Sequence, residues 1–293
     1  MNALITLRAE DASGKPLQAI FSPERGMALL SFKRGSVEAL ALSTAPAFEE
    51  RYAGLGPLIG PHFYRRNSNV LPMIPHTSLF PHIARVKAKG IQDPFSHGIA
   101  RYAPWKAEYS ENSFQATLKG EDLWNNTPLK SLEGQDFNIT FTGKLRKEGL
   151  FLSLSIVSGT DSLMGIHYYY SLPGSRGRVV ARVQPEARFE RKLSAIPPHW
   201  PLDTQNYLHL EIDEDIDVTF RPYPDLTHGE ILLNTETYSL RTRYSAPSAE
   251  NSWQLYHPKG HPFVCIEPLS ASDPCHPHLS VSSLNIHLEL GDP

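Results

Sequence analysis

Apolar and polar residues alternate with a period of two in short runs along most of the chain. The clearest are Phe114-Gln-Ala-Thr-Leu118, Phe137-Asn-Ile-Thr-Phe141 and Leu150-Phe-Leu-Ser-Leu-Ser-Ile156. Further along come Tyr207-Leu-His-Leu-Glu-Ile212, Tyr238-Ser-Leu-Arg-Thr-Arg-Tyr244 and Leu284-Asn-Ile-His-Leu-Glu-Leu290. Period two sends alternate side chains to opposite faces, so each run predicts a strand with one face on a core. Turn residues such as Lys119-Gly-Glu-Asp122 and Leu172-Pro-Gly-Ser175 separate the runs. No long stretch has a helical period, and Met27–Leu42 reads equally as a strand pair or a short helix. The stretch Leu58–Pro94 is rich in Pro, His and Asn and reads as an irregular connection, the kind of segment that often carries function. No internal repeat is visible, which argues against a propeller. The pattern predicts an all-β protein, a large antiparallel β-sandwich, with residues 1–293 as a single domain.

Composition narrows the function classes. With 40% hydrophobic and 20% charged residues, the 293-residue chain is neither disordered nor membrane-like. There are 28 basic against 31 acidic residues, so the broad positive field of a nucleic-acid binder is missing. The apolar runs are too short to span a bilayer. The start, Met1-Asn-Ala-Leu-Ile-Thr-Leu-Arg-Ala-Glu-Asp11, lacks the basic region and long apolar run of a signal peptide, so a cytoplasmic location is expected. The two cysteines, Cys265 and Cys275, read as reduced thiols rather than a disulfide framework. Cys275-His-Pro-His278 resembles a ligand cluster, but zinc sites bring two such pairs and no second pair is evident, so no metal is expected. His76, His82, His199 and His261, each beside a proline, read as loop residues.

Three segments carry candidate chemistry. His97 stands in Phe95-Ser-His-Gly-Ile-Ala-Arg-Tyr-Ala-Pro-Trp105, where Gly98 permits close backbone approach and Trp105 offers a flat apolar face suited to sugar C–H groups. His167 stands after a glycine at the head of a tyrosine-rich strand, Met164-Gly-Ile-His-Tyr-Tyr-Tyr-Ser-Leu-Pro-Gly174. Glu267 follows a nearly continuous apolar run, His261-Pro-Phe-Val-Cys-Ile-Glu-Pro268. A carboxylate buried there costs several kcal/mol unless paired or neutralised, and burial lifts its pKa toward working pH. Each has an ordinary alternative: a structural turn histidine, a core histidine bonded to a carbonyl, and a strand-end glutamate turned to water.

Taken in chain order, these segments resemble the aldose 1-epimerase (galactose mutarotase) family. Ser96–Trp105 is similar to its first histidine motif, Gly165–Gly174 to its second, and Trp253-Gln-Leu-Tyr-His-Pro with Pro262–Pro268 to its terminal glutamate strand. Gly60-Pro-His-Phe-Tyr-Arg-Arg66 stands where the family has an arginine-bearing turn, and Asp217-Val-Thr-Phe220 resembles an Asp-x-x-Phe segment. The resemblance spans about residues 20–270 and is dense only at the motifs. It implies a β-supersandwich and anomer interconversion of an aldohexose without cofactor or metal. Glu267 would be the base, His167 the acid, and His97 a hydrogen-bonding partner of the ring or C1 oxygen. Arg65 and Asp217 would hold ring hydroxyls. Pro61 after Gly60 and Tyr168 after His167 depart from the family pattern and bear on sugar preference more than on reaction type.

Two alternatives stay open. The phrase His97-Gly-Ile-Ala-Arg101 with Trp105 is similar to a hexose-6-phosphate epimerase branch, in which Arg101, in a cluster with Arg65 and Arg66, would meet the phosphate through a planar fork. A catalytically silent carbohydrate-binding protein shares the fold and needs neither acid nor base. The expected partner is a small sugar or sugar phosphate, with no nucleic acid and no membrane. The oligomeric state is not indicated.

Overall fold

Each alternating run falls on a strand in the computed structural model, which describes residues 4–189 and 192–293. The first three residues of the N-terminal segment considered above lie outside that description. Among the described residues, nine strands form one antiparallel sheet. Its order is Tyr207–Glu211, Arg178–Arg182, His228–Asn234, Ser239–Ser245, Val281–Gly291, Gly149–Ser158, Phe137–Arg146, Ser113–Lys119 and Lys106–Tyr109. Register explains its inner face. Phe141 lies opposite Leu154, and Leu154 opposite Leu284, so the inward residues of three alternating runs form one apolar row.

A second sheet runs Lys192–Ala195, Glu186–Phe189, Ile216–Phe220, Ser252–His257, Phe263–Leu269, Gly165–Ile166 and Leu58–Ile59, and Tyr168–Ser171 also pairs with Phe263–Leu269. A four-stranded N-terminal sheet begins with Ile5–Glu10 and Pro16–Ser22. Phe21 ties it to the nine-stranded sheet, its ring lying 4.7 Å from that of Phe114 and 6.1 Å from that of Phe141. One buried cluster draws on all three sheets, including Phe21, Phe141, Phe220 and Trp253. The architecture is the large antiparallel β-sandwich expected from the alternation.

Met27–Leu42 resolves in favour of strands, Ala28–Arg34 paired with Val37–Glu38. Leu58–Pro94 has one two-residue strand, a three-residue 3-10 helix, Thr77–Leu79, and one seven-residue helix, His82–Ala88, and is otherwise irregular. His82 corrects the loop expectation. It opens that helix, is 4% exposed, and stacks 4.6 Å from Tyr102, because the connection folds back and buries an aromatic patch of its own. Burial and the nearby Arg85 lower its pKa to about 4. No helix of the described residues is long and apolar enough to cross a membrane.

Candidate active site

Strand pairing assembles the site from residues far apart in sequence. Arg188, Thr219, Gln254 and Glu267 lie in register across four neighbouring strands. The adjacent row is Asp217, Tyr256, Cys265 and Tyr169. Members of one row lie two residues from members of the next, so both rows face the same way. His167, two residues before Tyr169, stacks on its ring at 4.9 Å. Above this face lies a cavity of about 450 Å³ whose walls include His97, Arg101, His167, Asp217, Gln254 and Glu267.

The acid–base groups meet at the floor. Glu267 is 1% exposed, and its Oε1 lies 3.3 Å from His167 Nε2. Its Oε2 is buried without a hydrogen-bond partner. The ring of His97 stands edge-on to that of His167, with centroids 5.1 Å apart. His97 reaches this place from a tight turn in which it and Gly98 both have positive φ, 68° and 87°. A Cβ at position 98 would lie 1.9 Å from the Gly60 carbonyl oxygen, so only glycine fits. The turn docks on that strand end through Gly60 N–H donating to the His97 carbonyl at 2.8 Å and Ala100 N–H donating to the Gly60 carbonyl at 3.0 Å. Four residues beyond His97, Arg101 is 3% exposed, donates through Nε to the Leu58 carbonyl at 3.2 Å, and has an Nη2 without a partner. At the rim, Asp217 accepts a hydrogen bond from Gln254 Nε2, and Gln254 Oε1 accepts one from Thr219.

Burial sets the protonation. It pushes the Glu267 carboxyl well above the usual carboxylate range, a shift opposed by Arg101 and reinforced by Asp217. It pushes the His167 and His97 imidazoles well below their usual range, and Arg101 adds to both shifts. The facing pair therefore holds one proton over a wide pH range, and burial favours that proton on Glu267. The Tyr169 hydroxyl is held protonated by burial. His167, Cys265 and Glu267 bring N, S and O atoms within 4.8 Å of one another. Burial pushes the Cys265 thiol pKa well above its ordinary value. His276 and His278 are exposed and do not join Cys275 in a ligand set.

Of the residues singled out in the sequence, Glu267, His167, His97, Arg101 and Asp217 converge on the cavity. Arg65 and Trp105 do not. Tyr64, with φ of 50°, turns the chain so that Arg65 faces solvent over the Tyr64 ring, 5.2 Å from its centroid. Arg66 points inward instead, forked on Asp93. Trp105 is 4% exposed, packs towards Phe141, and donates from Nε1 to the Ala100 carbonyl at 3.0 Å. It supports the Arg101 turn from the core side and offers the cavity no face. The departures at Pro61 and Tyr168 also lie outside the lining: Tyr168, opposite Ile266, turns into the core. Gln254, Thr219, Tyr256, Tyr169 and Arg188 were not singled out, because only strand register aligns them with Glu267. A larger hollow of about 1110 Å³ over the nine-stranded sheet has only exposed carboxylates, Glu108 and Glu230, and lacks a buried acid–base pair.

No protein-family model matches the chain, and no curated protein matches its sequence. Solved structures do match. An aldose epimerase homologue from C. elegans superposes with a TM-score of 0.68 at 15% identity, over 99% of each chain. A galactose mutarotase-like protein from Lactobacillus casei gives 0.65 at 16% identity, covering 98% of this chain and 100% of its own. Another, from Clostridium acetobutylicum, gives 0.60 at 13% identity over 99% of each chain. The fold is thus the galactose mutarotase-like supersandwich. Identities this low establish the fold alone.

Proposed function

We propose that this protein is an aldose 1-epimerase acting on a free aldohexose. The observation that carries the reading is the Glu267–His167 pair, buried and 3.3 Å apart on the cavity floor. Ring opening needs a base for the C1 hydroxyl proton and an acid for the ring oxygen. A pair holding one proton supplies one of each. In one direction Glu267 takes the hydroxyl proton as the C1–O5 bond breaks, and His167 protonates O5. The C1–O1 bond becomes the aldehyde carbonyl. Rotation about C1–C2 turns the other face of the aldehyde to O5, and closure with the roles reversed returns both protons. Atoms and electrons balance with no further reactant. Burial favours the resting proton on Glu267, while the Arg101 charge favours the carboxylate. Arg101 thus acts on both halves of the pair, favouring the Glu267 carboxylate and disfavouring the His167 imidazolium. His97, held neutral, offers a ring nitrogen to the ring or C1 oxygen. Asp217 at the rim and the unpartnered Arg101 Nη2 are placed for ring hydroxyls.

The floor position of Arg101 also bears on the phosphorylated alternative. It lines the same cavity as Glu267, His167 and His97 and its charge acts on all three, which supports a role beside the reacting end of a sugar rather than at a remote phosphate. Two other arginines of the lining are already paired, Arg188 with Asp273 at 3.2 Å and Arg51 with Glu50 at 2.7 Å. This favours the uncharged sugar. Polarimetry from pure α-glucose, α-galactose and glucose 6-phosphate tests the assignment. A larger kcat/KM for a free sugar is expected. No acceleration of any of the three would end the epimerase reading, and preference for the phosphate would replace the free-sugar substrate.

A further inference from the structure

Four buried charged side chains brace the turn that carries His97. The His62 ring lies between two carboxylates, with Nδ1 2.7 Å from Glu133 Oε1 and Nε2 3.4 Å from Asp93 Oδ2. The other oxygen of each carboxylate accepts a main-chain N–H of the turn. Asp93 Oδ1 takes that of Phe95 at 2.9 Å, and Glu133 Oε2 takes that of Ile99 at 3.1 Å. His97 stands midway between those two anchors. Arg66 closes the far side, forking onto Asp93 at 2.9 and 2.8 Å and donating to the main-chain carbonyls of Leu132 and Glu133. The four side chains are at most 8% exposed, and none of them lines the cavity.

Charge counting fixes the state of His62. Arg66, Asp93 and Glu133 alone leave one negative charge uncompensated, and an unpaired buried charge costs several kcal/mol. A doubly protonated imidazole cancels it, with Nδ1 bonded to Glu133 and Nε2 facing Asp93 at ion-pair distance, 3.4 Å, without a hydrogen bond. Burial opposes that charge, but Glu133 and Asp93 outweigh burial and hold the His62 pKa above its ordinary value. The titratable and charged groups facing His62 come from separate elements: Glu133 ends the helix Leu129–Glu133, Asp93 precedes the turn, Arg66 follows the Gly60 segment, and the neutral His97 lies on the turn itself.

We propose that His62 is a positioning residue that ties Asp93 to Glu133 across the base of the Phe95–Ile99 turn and so holds His97 against His167. The inference rests on the epimerase reading for its effect on turnover, but its structural core does not. The test uses the full chain with His62→Gln and Glu133→Gln, the latter keeping an acceptor for Ile99 N–H while losing its charge. A histidine ring nitrogen NMR titration of wild type should show one histidine that titrates above the ordinary imidazole range, and His62→Gln should lose that signal. The His97 ring signals should shift in either variant. With the circular dichroism unchanged, kcat should fall at least about tenfold, since small misplacements of a reacting group are expensive, while KM stays within roughly threefold. Should His62→Gln fail to fold, Glu133→Gln carries the same comparisons. A folded variant with wild-type kcat and unmoved His97 signals overturns the proposal, as does a wild-type His62 that titrates at or below the ordinary imidazole range. If wild type does not catalyse mutarotation yet the His97 signals move, the epimerase reading fails and the positioning role stands.

Discussion

His167 Nε2 lies 3.3 Å from Glu267 Oε1, and the two groups are buried together with one proton between them. Strand geometry enforces this closeness. Glu267 is fixed in register opposite Gln254, while His167 sits just before Tyr168–Ser171, the strand that pairs with the other side of Phe263–Leu269. Neither side chain can turn to water from there. A carboxyl group with an unpartnered Oε2 in such a place weakens the fold, and the predictions below separate that cost from its use in chemistry.

Glu267→Gln should remove most of the acceleration of mutarotation, a loss of about 10²–10⁴ in kcat/KM, the usual contribution of one acid–base group. It should also stabilise the protein at neutral pH. The folded-state pKa of Glu267 is raised, so the native state holds a proton that the unfolded chain releases. Wild-type stability therefore drops as pH rises from the ordinary carboxylate range through the raised pKa. Glutamine has no such loss, and the variant should gain on the order of 1–3 kcal/mol around pH 8, narrowing toward pH 4. Urea unfolding at both pH values measures this, and a variant less stable than wild type at the higher pH would contradict it.

The pH profile of kcat/KM should be bell-shaped. The active form carries one proton on the pair. Adding a second proton is governed by His167, whose pKa is lowered, so the acid limb should lie below the ordinary histidine range. Losing the only proton is governed by Glu267, whose pKa is raised, so the alkaline limb should lie well above the ordinary carboxylate range. A single fall centred on the ordinary carboxylate pKa would show that Glu267 is solvated and the pair uncoupled.

Arg65→Ala should leave kcat/KM within about twofold and stability within ~0.5 kcal/mol, because the side chain is exposed and outside the cavity. Trp105→Ala should instead cost about 3–5 kcal/mol of stability, the usual range for truncating a buried tryptophan. Thermal melts with polarimetry on both variants make the comparison. A tenfold loss of kcat/KM in Arg65→Ala would restore it to the site.

These outcomes track what the chain makes readable. Alternation exposed the strands around Phe141, Leu154 and Leu284, because each buries one face and needs no partner to be recognised. Glu267 was legible because a carboxylate in an apolar run has few other uses. Gln254 and Thr219 were not, since an uncharged polar residue in a strand gains meaning only from the neighbour across from it. Arg65 and Trp105 failed for a related reason. Their orientation depends on a positive-φ turn at Tyr64 and on burial beneath the Arg101 turn, and neither leaves a local mark. In the sequence Arg101 reads as a candidate phosphate contact, while its approach to Glu267, His167 and His97 follows only from the meeting of the Gly60 strand end with the His97 turn.

Arg101→Gln gives the sharpest test of that position. The guanidinium favours the carboxylate form of Glu267 and disfavours the charged forms of His167 and His97. Removing it lets the Glu267 pKa climb further and lets the His167 pKa recover toward its ordinary value. Both limbs of the bell should then move to higher pH, by on the order of one unit. A residue that only bound a distant phosphate would change KM for the phosphorylated sugar and leave the profile with a free sugar in place. The profile for α-glucose in wild type and Arg101→Gln distinguishes the two roles. Coincident limbs would put Arg101 outside the electrostatics of the pair, whereas a common alkaline shift would place its charge on the same proton that Glu267 and His167 share.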